Sequence, residues 1–310
     1  MSVRPGQPAV AAGSGSQAAG ESSHPWSRWV VGARPRTLAA AAVPVAVGTA
    51  AGSWHGELVA WRAVTALVVA LAVQIGTNYA NDVADGVRGT DSARIGPVRL
   101  VASGLATPRA VRVAAAASFA VAALAGLALA AVTSWWLVPV GAGCFAAGWL
   151  YTGGPKPYGY LGLGELAVFA FFGVVATVGA AYVQAGRVTA IAVVAAVPVG
   201  FLATALLEAN NLRDVAGDAE AGKRTLAVRL GRRRAGWLYV GCLVGTVGGL
   251  AGLATFRPPV AAALVAFPLA ARPLRLVVQG SQGPELLPVL GATSRLQLVV
   301  GAIVTAAILW

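Results

Sequence analysis

Asn78-Tyr-Ala-Asn81-Asp82-Val-Ala-Asp85 closes an apolar run that begins near residue 63. Asn210-Asn211-Leu-Arg213-Asp214-Val-Ala-Gly-Asp218 closes another that begins near residue 189. The two read as versions of one another: Asn78 to Asp82 and Asn210 to Asp214 are equal steps, and a further carboxylate follows at Asp85 and at Asp218. With Asp91 and Glu220 added, six of the chain's 11 acidic residues lie in these two places. On a helix, Gln74, Asn78, Asp82 and Asp85 share one face; Asn210, Asp214 and Asp218 share another, with Glu208 and Asn211 beside it. Ionisable groups at a membrane edge face the bundle interior or a wet cavity. Converging carboxylates there need a cation. The available donors are Asp and Asn oxygens, with no His or Cys, which suits a hard ion such as Mg²⁺.

Outward from these stretches the chain is apolar: 57% hydrophobic and 11% charged, with a mean hydropathy of +0.73. That composition predicts an all-α integral membrane protein. Nine hydrophobic segments, near 37–54, 63–81, 111–132, 135–151, 163–184, 189–209, 235–255, 259–279 and 292–310, predict a nine-transmembrane-helix bundle. Small residues throughout favour close helix packing. Residues 1–25, rich in Gly, Ala, Ser, Gln and Pro, read as a disordered tail without a signal-peptide core, and 26–310 as the membrane domain. With the N-terminus cytoplasmic, 20 of the 23 Lys and Arg fall on the inside, leaving Arg62, Arg187 and Arg257 outside. Topology thus explains the net charge of +12 better than nucleic acid does. Both acidic stretches then reach the cytoplasmic face of a multi-pass protein of the cell membrane, where they can face each other. Cys144 and Cys242 stand alone inside apolar segments and read as small core residues.

Cations flank the acids: Arg88, Arg94 and Arg99 follow the first stretch, while Arg213, Lys223 and Arg224 surround the second. Carboxylates for metal ions, with Arg and Lys for phosphate oxygens, are what a metal–diphosphate complex needs. Arg232, Arg233 and Arg234 are explained by topology alone. The connections expected near 82–110 and 210–234 are the longest, as functional loops tend to be. A third stretch, Tyr151-Thr152 through Lys156, Tyr158 and Tyr160 to Gly164-Glu165, lies on the same side. Its tyrosines suit interface anchoring; its glycines and Lys156 also suit a loop closing over an anion.

These motifs together resemble the UbiA superfamily of intramembrane aromatic prenyltransferases, whose members carry two cytoplasmic Asp-rich motifs on helices 2 and 6. The match is Asn81-Asp82-x-x-Asp85 with Asp91 following, and Asp214-x-x-x-Asp218. The commoner first motif closes four residues after its second Asp, and here Asp91 is six after Asp85. That spacing is similar to the 1,4-dihydroxy-2-naphthoate polyprenyltransferase (MenA) branch. So are Ala33-Arg34-Pro35-Arg36-Thr37, the loop from Tyr151 to Glu165, Asn210-Asn211-x-Arg213-Asp214 and Gly222-Lys223-Arg224-Thr225. The resemblance covers roughly residues 33–310 and implies transfer of a polyprenyl group from polyprenyl diphosphate to 1,4-dihydroxy-2-naphthoate, yielding demethylmenaquinone, diphosphate and CO₂. It implies that Asp82, Asp85, Asp214 and Asp218, with Asn78 and Asn211 beside them, hold Mg²⁺ against the diphosphate. Arg88, Arg94, Lys156, Lys223 and Arg224 would neutralise the diphosphate. Asn78, Asn81, Asn211, Tyr151 and Tyr160 would contact the substrates. The prenyl tail would lie in an apolar groove open to lipid.

The acidic motifs alone do not choose the acceptor, so 4-hydroxybenzoate and homogentisate stay open as alternatives. Asp82-x-x-Asp85-Gly86 superficially resembles the CDP-alcohol phosphotransferases, but the further Ala-Arg, Gly and paired Asp of that motif are missing. A transporter would carry charges in mid-membrane along its ion path, and here such charges are nearly absent.

Overall fold

A computed structural model describes residues 27–54, 56–89 and 98–310. The expected tail at 1–25, Asp91 and Arg94 therefore lie outside the described residues. Helix α1 (Ser27–Ala33) leads through a 3-10 turn at Pro35–Thr37 into α2 (Ala39–Ser53). The pair is bent by 56° where Ser27–Thr37 meets Ala39–Ser53, and Arg34, just after α1, has a φ of 54° in the left-handed region. Then come α3 (Ala60–Arg88), α4 (Pro108–Val132) and α5 (Leu137–Thr152). They are followed by α6 (Gly164–Ala185), α7 (Ala190–Glu220), the short α8 (Leu226–Leu230) and α9 (Arg232–Ala254). The chain ends with α10 (Pro258–Val278) and α11 (Leu287–Leu309).

Every hydrophobic segment expected from the sequence lies in one of these helices. Among the described residues, 7 helices are long and apolar enough to cross a membrane, or 8 if the bent α1–α2 pair is one span. Helix α5, at 16 residues, is shorter than the roughly 20 a span ordinarily needs. The chain is thus an all-helical, multi-pass membrane protein.

Local signals set the helix starts. Thr107, Thr189 and Thr225 each turn a side-chain oxygen onto a backbone N–H of the first turn that follows, at Ala110, Ala192 and Val228. At the end of α3, Gly89 takes φ 74° and returns its N–H to the last turn, a conformation that favours glycine.

Two helices run further than hydropathy suggests. α3 continues to Arg88 and α7 to Glu220, so both acidic stretches are helical rather than loop. The connections expected at 82–110 and 210–234 are correspondingly shorter. The polar extensions persist because their charged groups meet partners inside the protein. α7 is the central element: 67% of its most apolar window is buried, against 22% for peripheral α4. The main core joins α2, α7, α9, α10 and α11 through residues such as Val47, Leu202, Tyr239, Leu250, Val260 and Leu296. α6 approaches α7 very closely. Phe169–Val175 is wound as a π-helix, and a methyl group added at Gly173 would come within 2.5 Å of Gly200 Cα. The Phe169 and Phe201 rings meet edge to face at 5.0 Å beside this contact.

Candidate active site

At one end of the bundle, the ends of α3 and α7 meet the segment between α5 and α6. Asp85, on the last turn of α3, is the meeting point. Its carboxylate lies 3.1 Å from Lys223 Nζ and 3.9 Å from Arg99 Nη2, and it accepts a hydrogen bond from the Tyr160 hydroxyl. Lys223 follows α7, Tyr160 lies in the 158–161 turn, and Arg99 comes from the connection after α3. One carboxylate thus ties three parts of the chain together while only 3% exposed. The Tyr160 ring stacks under two cations, Lys223 Nζ at 4.9 Å and the Arg88 guanidinium at 5.5 Å. Arg88 also donates to the carbonyls of Thr152 and, at 2.6 Å, Gly154. The backbone N–H of Arg224 donates to Tyr160 O at 3.0 Å. Each of the three stretches singled out in the sequence therefore contributes to one polar cluster.

The buried face expected along α3 is present: Gln74, Asn78, Asp82 and Asp85 are all buried. Its members do different work from one another. Asp82 is fully buried, and its two oxygens accept the backbone N–H groups of Leu100 and Val101, each at 2.9 Å. It anchors the returning segment after α3. Asn78 is likewise engaged by the protein. Its amide donates to Ala33 O at 2.9 Å and Thr37 Oγ1 at 3.0 Å and accepts from Gln74 at 3.3 Å, so it clamps the α1–α2 bend. Asn81 Oδ1 accepts from the Thr152 hydroxyl, which fastens α3 to the end of α5.

On α7, Arg213 grips Asp214 with two bonds of 2.6 Å and also reaches Asn210 Oδ1 at 2.8 Å. Asn211 donates its Nδ2 to Glu165 Oε1 at 2.8 Å. Asp218 is half-buried, and its carbonyl receives the Lys223 N–H at 2.7 Å. Lys156 and Arg224 are exposed. Tyr151 packs edge to face against Tyr158 at 5.5 Å, and a methyl group at Gly164 would meet its hydroxyl at 3.1 Å. The carboxylates of Glu165, Asp218 and Asp85 all lie within electrostatic range of that hydroxyl. Tyr158, in the connecting segment, donates its hydroxyl to Ala147 O at 2.8 Å; burial pushes its phenol up to about 12, so it stays protonated at neutral pH.

Sequence reading assigned no role to Glu165, although it stands in the quoted loop as the lone acid opening an apolar segment. Nor did it assign one to Thr152 or Thr37, which carry no pattern and gain their roles from tertiary contacts. Among the described residues, no three His, Cys, Asp or Glu side chains form a group able to hold a metal ion by themselves. The cluster instead offers separate carboxylates, of which Asp85 and Asp214 stand beside cations, together with Lys and Arg side chains of the kind that bind a multiply charged anion.

The model of the UbiA prenyltransferase family matches residues 41–283. The 1,4-dihydroxy-2-naphthoate octaprenyltransferase of Mycobacterium tuberculosis (strain ATCC 25618 / H37Rv) is 52% identical over 288 residues, spanning 91% of this chain and 97% of the relative. Its namesake from Escherichia coli (strain K12) is 39% identical over 236 residues, spanning 74% and 76%. Among solved structures, a UbiA homologue from Archaeoglobus fulgidus bound to GPP and Mg²⁺ is similar with a TM-score of 0.62 at 18% identity, covering 90% of this chain and 99% of that one. The apo structure of a UbiA homologue from Aeropyrum pernix K1 gives 0.63 at 17% identity, covering 87% and 96%. At such identities the structures establish a shared fold.

Proposed function

Because the chain belongs to the UbiA prenyltransferase family, we propose that it transfers a polyprenyl group from polyprenyl diphosphate to 1,4-dihydroxy-2-naphthoate, giving the quinol form of demethylmenaquinone, diphosphate and CO₂. The observation that carries this reading is the 52% identity to the M. tuberculosis 1,4-dihydroxy-2-naphthoate octaprenyltransferase across 91% of the chain. The convergence of Asp85, Tyr160 and Lys223 supplies a place for the chemistry.

The donor set fits Mg²⁺. All candidate ligands are oxygens, and Mg²⁺ is ordinarily held by one or two carboxylates, with substrate phosphates and water completing the shell. Separate carboxylates rather than an all-protein cage suit that habit. Asp85, Asp214 and Asp218 are the residues that would hold the ion. When bound, Mg²⁺ would offset charge on the diphosphate leaving group.

The chain's own residues supply the rest. Lys223 and Arg88, both placed over Tyr160, would bind diphosphate oxygens, with Lys156 and Arg224 at the rim and Arg94 from outside the described residues. These cations stabilise charge that grows as the allylic C–O bond breaks, when it counts most. The ring carbon bearing the carboxylate attacks the allylic carbon; the C–CO₂ bond then breaks and returns its electron pair to the ring. Asn81, Asn211, Tyr151 and Tyr160 orient the acceptor. Apolar helix faces house the prenyl tail and keep water from the cation. In the membrane, α5 and the bent α1–α2 pair count as spans, giving nine in all. The site would face the cytoplasm, the side that the distribution of Lys and Arg favours.

The test uses membranes containing the protein, given Mg²⁺, a polyprenyl diphosphate and, in separate reactions, dihydroxynaphthoate, 4-hydroxybenzoate or homogentisate. A prenylated, decarboxylated naphthoquinol as the main product by mass supports the reading. Turnover of another acceptor in preference to the naphthoate overturns it.

A further inference from the structure

Away from the polar cluster, an open groove of about 470 Å³ runs along α4 and is walled by Trp29 of α1. Its apolar lining is Ala110, Val113, Ala114 and Ala117, and Arg109 stands at the end nearest the start of α4. From Arg109 to Ala117 the helix rises about 12 Å, so the groove leads from a charged helix end down an apolar flank. Two more cations stand at that end. Arg112 is exposed and three residues from Arg109, which puts the two on neighbouring turns. The Arg28 guanidinium lies 5.6 Å from the centre of the Trp29 ring and donates to Leu105 O at 3.1 Å. Among the described residues, no carboxylate pairs with any of these three cations.

The wall of the groove is held in place. The Tyr79 hydroxyl donates to Trp29 O at 2.8 Å, and the two rings meet edge to face at 5.8 Å. Trp29 also packs against the small core that contains Leu100 and Val111.

We propose that this groove binds an anionic phospholipid of the bilayer: an acyl chain lies along α4 against Trp29, and Arg28, Arg109 and Arg112 hold the headgroup phosphate. The site is separate from the polar cluster, and none of its residues takes part in the chemistry proposed there.

The lining chooses the chain. It is apolar and built of small side chains, whereas a peptide laid there would bring unpaired N–H and C=O groups into lipid. A tryptophan, apolar with one polar edge, suits the depth where headgroups meet acyl chains. The cations choose the headgroup. Three guanidiniums without a counter-charge favour a phosphate, which accepts several N–H bonds at once. Phosphatidylcholine carries its own cation beside the phosphate, so a lipid with net negative charge gains more. Each cation near the surface contributes about fivefold to the binding of such a lipid. Charge by itself does not make the site. Arg232, Arg233 and Arg234 are a denser basic run, but the hollow beside Arg232 holds only about 10 Å³, too little for an acyl chain.

The experiment measures lipid binding to the full chain in detergent by native mass spectrometry, with phosphatidylglycerol or phosphatidylcholine added. The wild type is expected to bind phosphatidylglycerol at least about tenfold more tightly than phosphatidylcholine. Arg109→Gln combined with Arg112→Gln should remove that preference. Ala117→Trp fills the groove and leaves every charge in place, and it should weaken phosphatidylglycerol about tenfold. Val113→Trp is a second variant of the same kind. Both positions are exposed, so Tm in phosphatidylcholine should match the wild type. Replacing Arg232, Arg233 and Arg234 together with Gln should leave the preference intact. Equal affinity of the wild type for the two lipids would overturn the proposal. So would a preference that is lost in the 232–234 variant and kept in the 109 and 112 variant. Tight phosphatidylglycerol binding that survives both Trp variants would give the groove to another occupant, residues 1–26 of this chain or a second copy of it. Glycerol phosphate competing as well as the whole lipid would leave an anion site without a chain. A raised KM for polyprenyl diphosphate in Ala117→Trp would give the groove to the substrate's tail. Each of these three outcomes also overturns the proposal.

Discussion

Lys223 Nζ stands 3.1 Å from Asp85 Oδ1, although the two residues belong to different acidic stretches at the ends of different helices. In the proposed reaction Lys223 would leave Asp85 for the diphosphate, and Asp85 would then be one of the carboxylates that hold the ion. Replacing Asp85 with Ala is therefore expected to abolish product formation, by at least about 10³-fold, with the protein still inserted. Lys223→Gln should instead raise the KM for polyprenyl diphosphate about tenfold, the scale of a lost charge-assisted bond, and leave the acceptor KM unchanged. Steady-state assays on membranes check both.

Asp82 is expected to behave differently from Asp85 despite the shared motif. Its oxygens hold the Leu100 and Val101 amides, so Asp82→Ala strands one buried and one half-buried N–H group. The cost is about 1–3 kcal/mol for each stranded group, read as a lower Tm and faster proteolysis after residue 98. The Mg²⁺ concentration for half-maximal rate in the surviving activity should match the wild type. A large rise in that concentration would show that Asp82 holds the ion.

Arg213 and Asp214 form a buried bidentate pair. Removing the carboxylate in Asp214→Ala leaves a guanidinium buried without its counter-charge, at about 3–5 kcal/mol. The double variant Arg213→Met with Asp214→Ala should recover much of that stability but none of the activity. Thermal unfolding of the single and double variants measures the coupling. Recovery of activity in the double variant would show that Asp214 serves the fold alone.

Gly173 tests the packing of α6 on α7. A methyl group there would sit 2.5 Å from Gly200 Cα, and backbone cannot move aside as a flexible side chain can. Gly173→Ala should destabilise by about 1–3 kcal/mol, whereas Gly179→Ala, with nothing within 4 Å of the new methyl group, should be neutral or slightly stabilising. Tm values of the two variants in detergent decide the matter.

Much of this was legible in the sequence, for definite reasons. Spans follow from the cost of unpaired backbone in lipid, so hydropathy alone located every long apolar helix, though not the short α1 and α8. The face shared by Gln74, Asn78, Asp82 and Asp85 follows from helical spacing, and all four are buried. Spacing does not say which member of a polar face meets substrate and which meets the protein's own backbone. Asp82 and Asp85 are one turn apart, and only the returning segment at Leu100 and Val101 distinguishes them. The ends of α3 and α7 were placed too early for the same reason. Hydropathy falls at the polar residues, but Lys223, Arg99 and Arg213 give those residues partners, and the helices continue to Arg88 and Glu220. Glu165 ends a quoted stretch, but spacing along the chain gives no sign that it meets Asn211 on another helix.

The central claim is that prenyl transfer and loss of the carboxyl group are one reaction at one site. It is tested most directly by following labelled CO₂ from carboxyl-labelled dihydroxynaphthoate in membranes carrying the wild type or Asp85→Ala. The account predicts CO₂ release equal to the prenylated product, dependent on both polyprenyl diphosphate and Mg²⁺, and lost in the variant. Prenylated product that retains the labelled carboxyl group, or CO₂ release that survives Asp85→Ala, would contradict it.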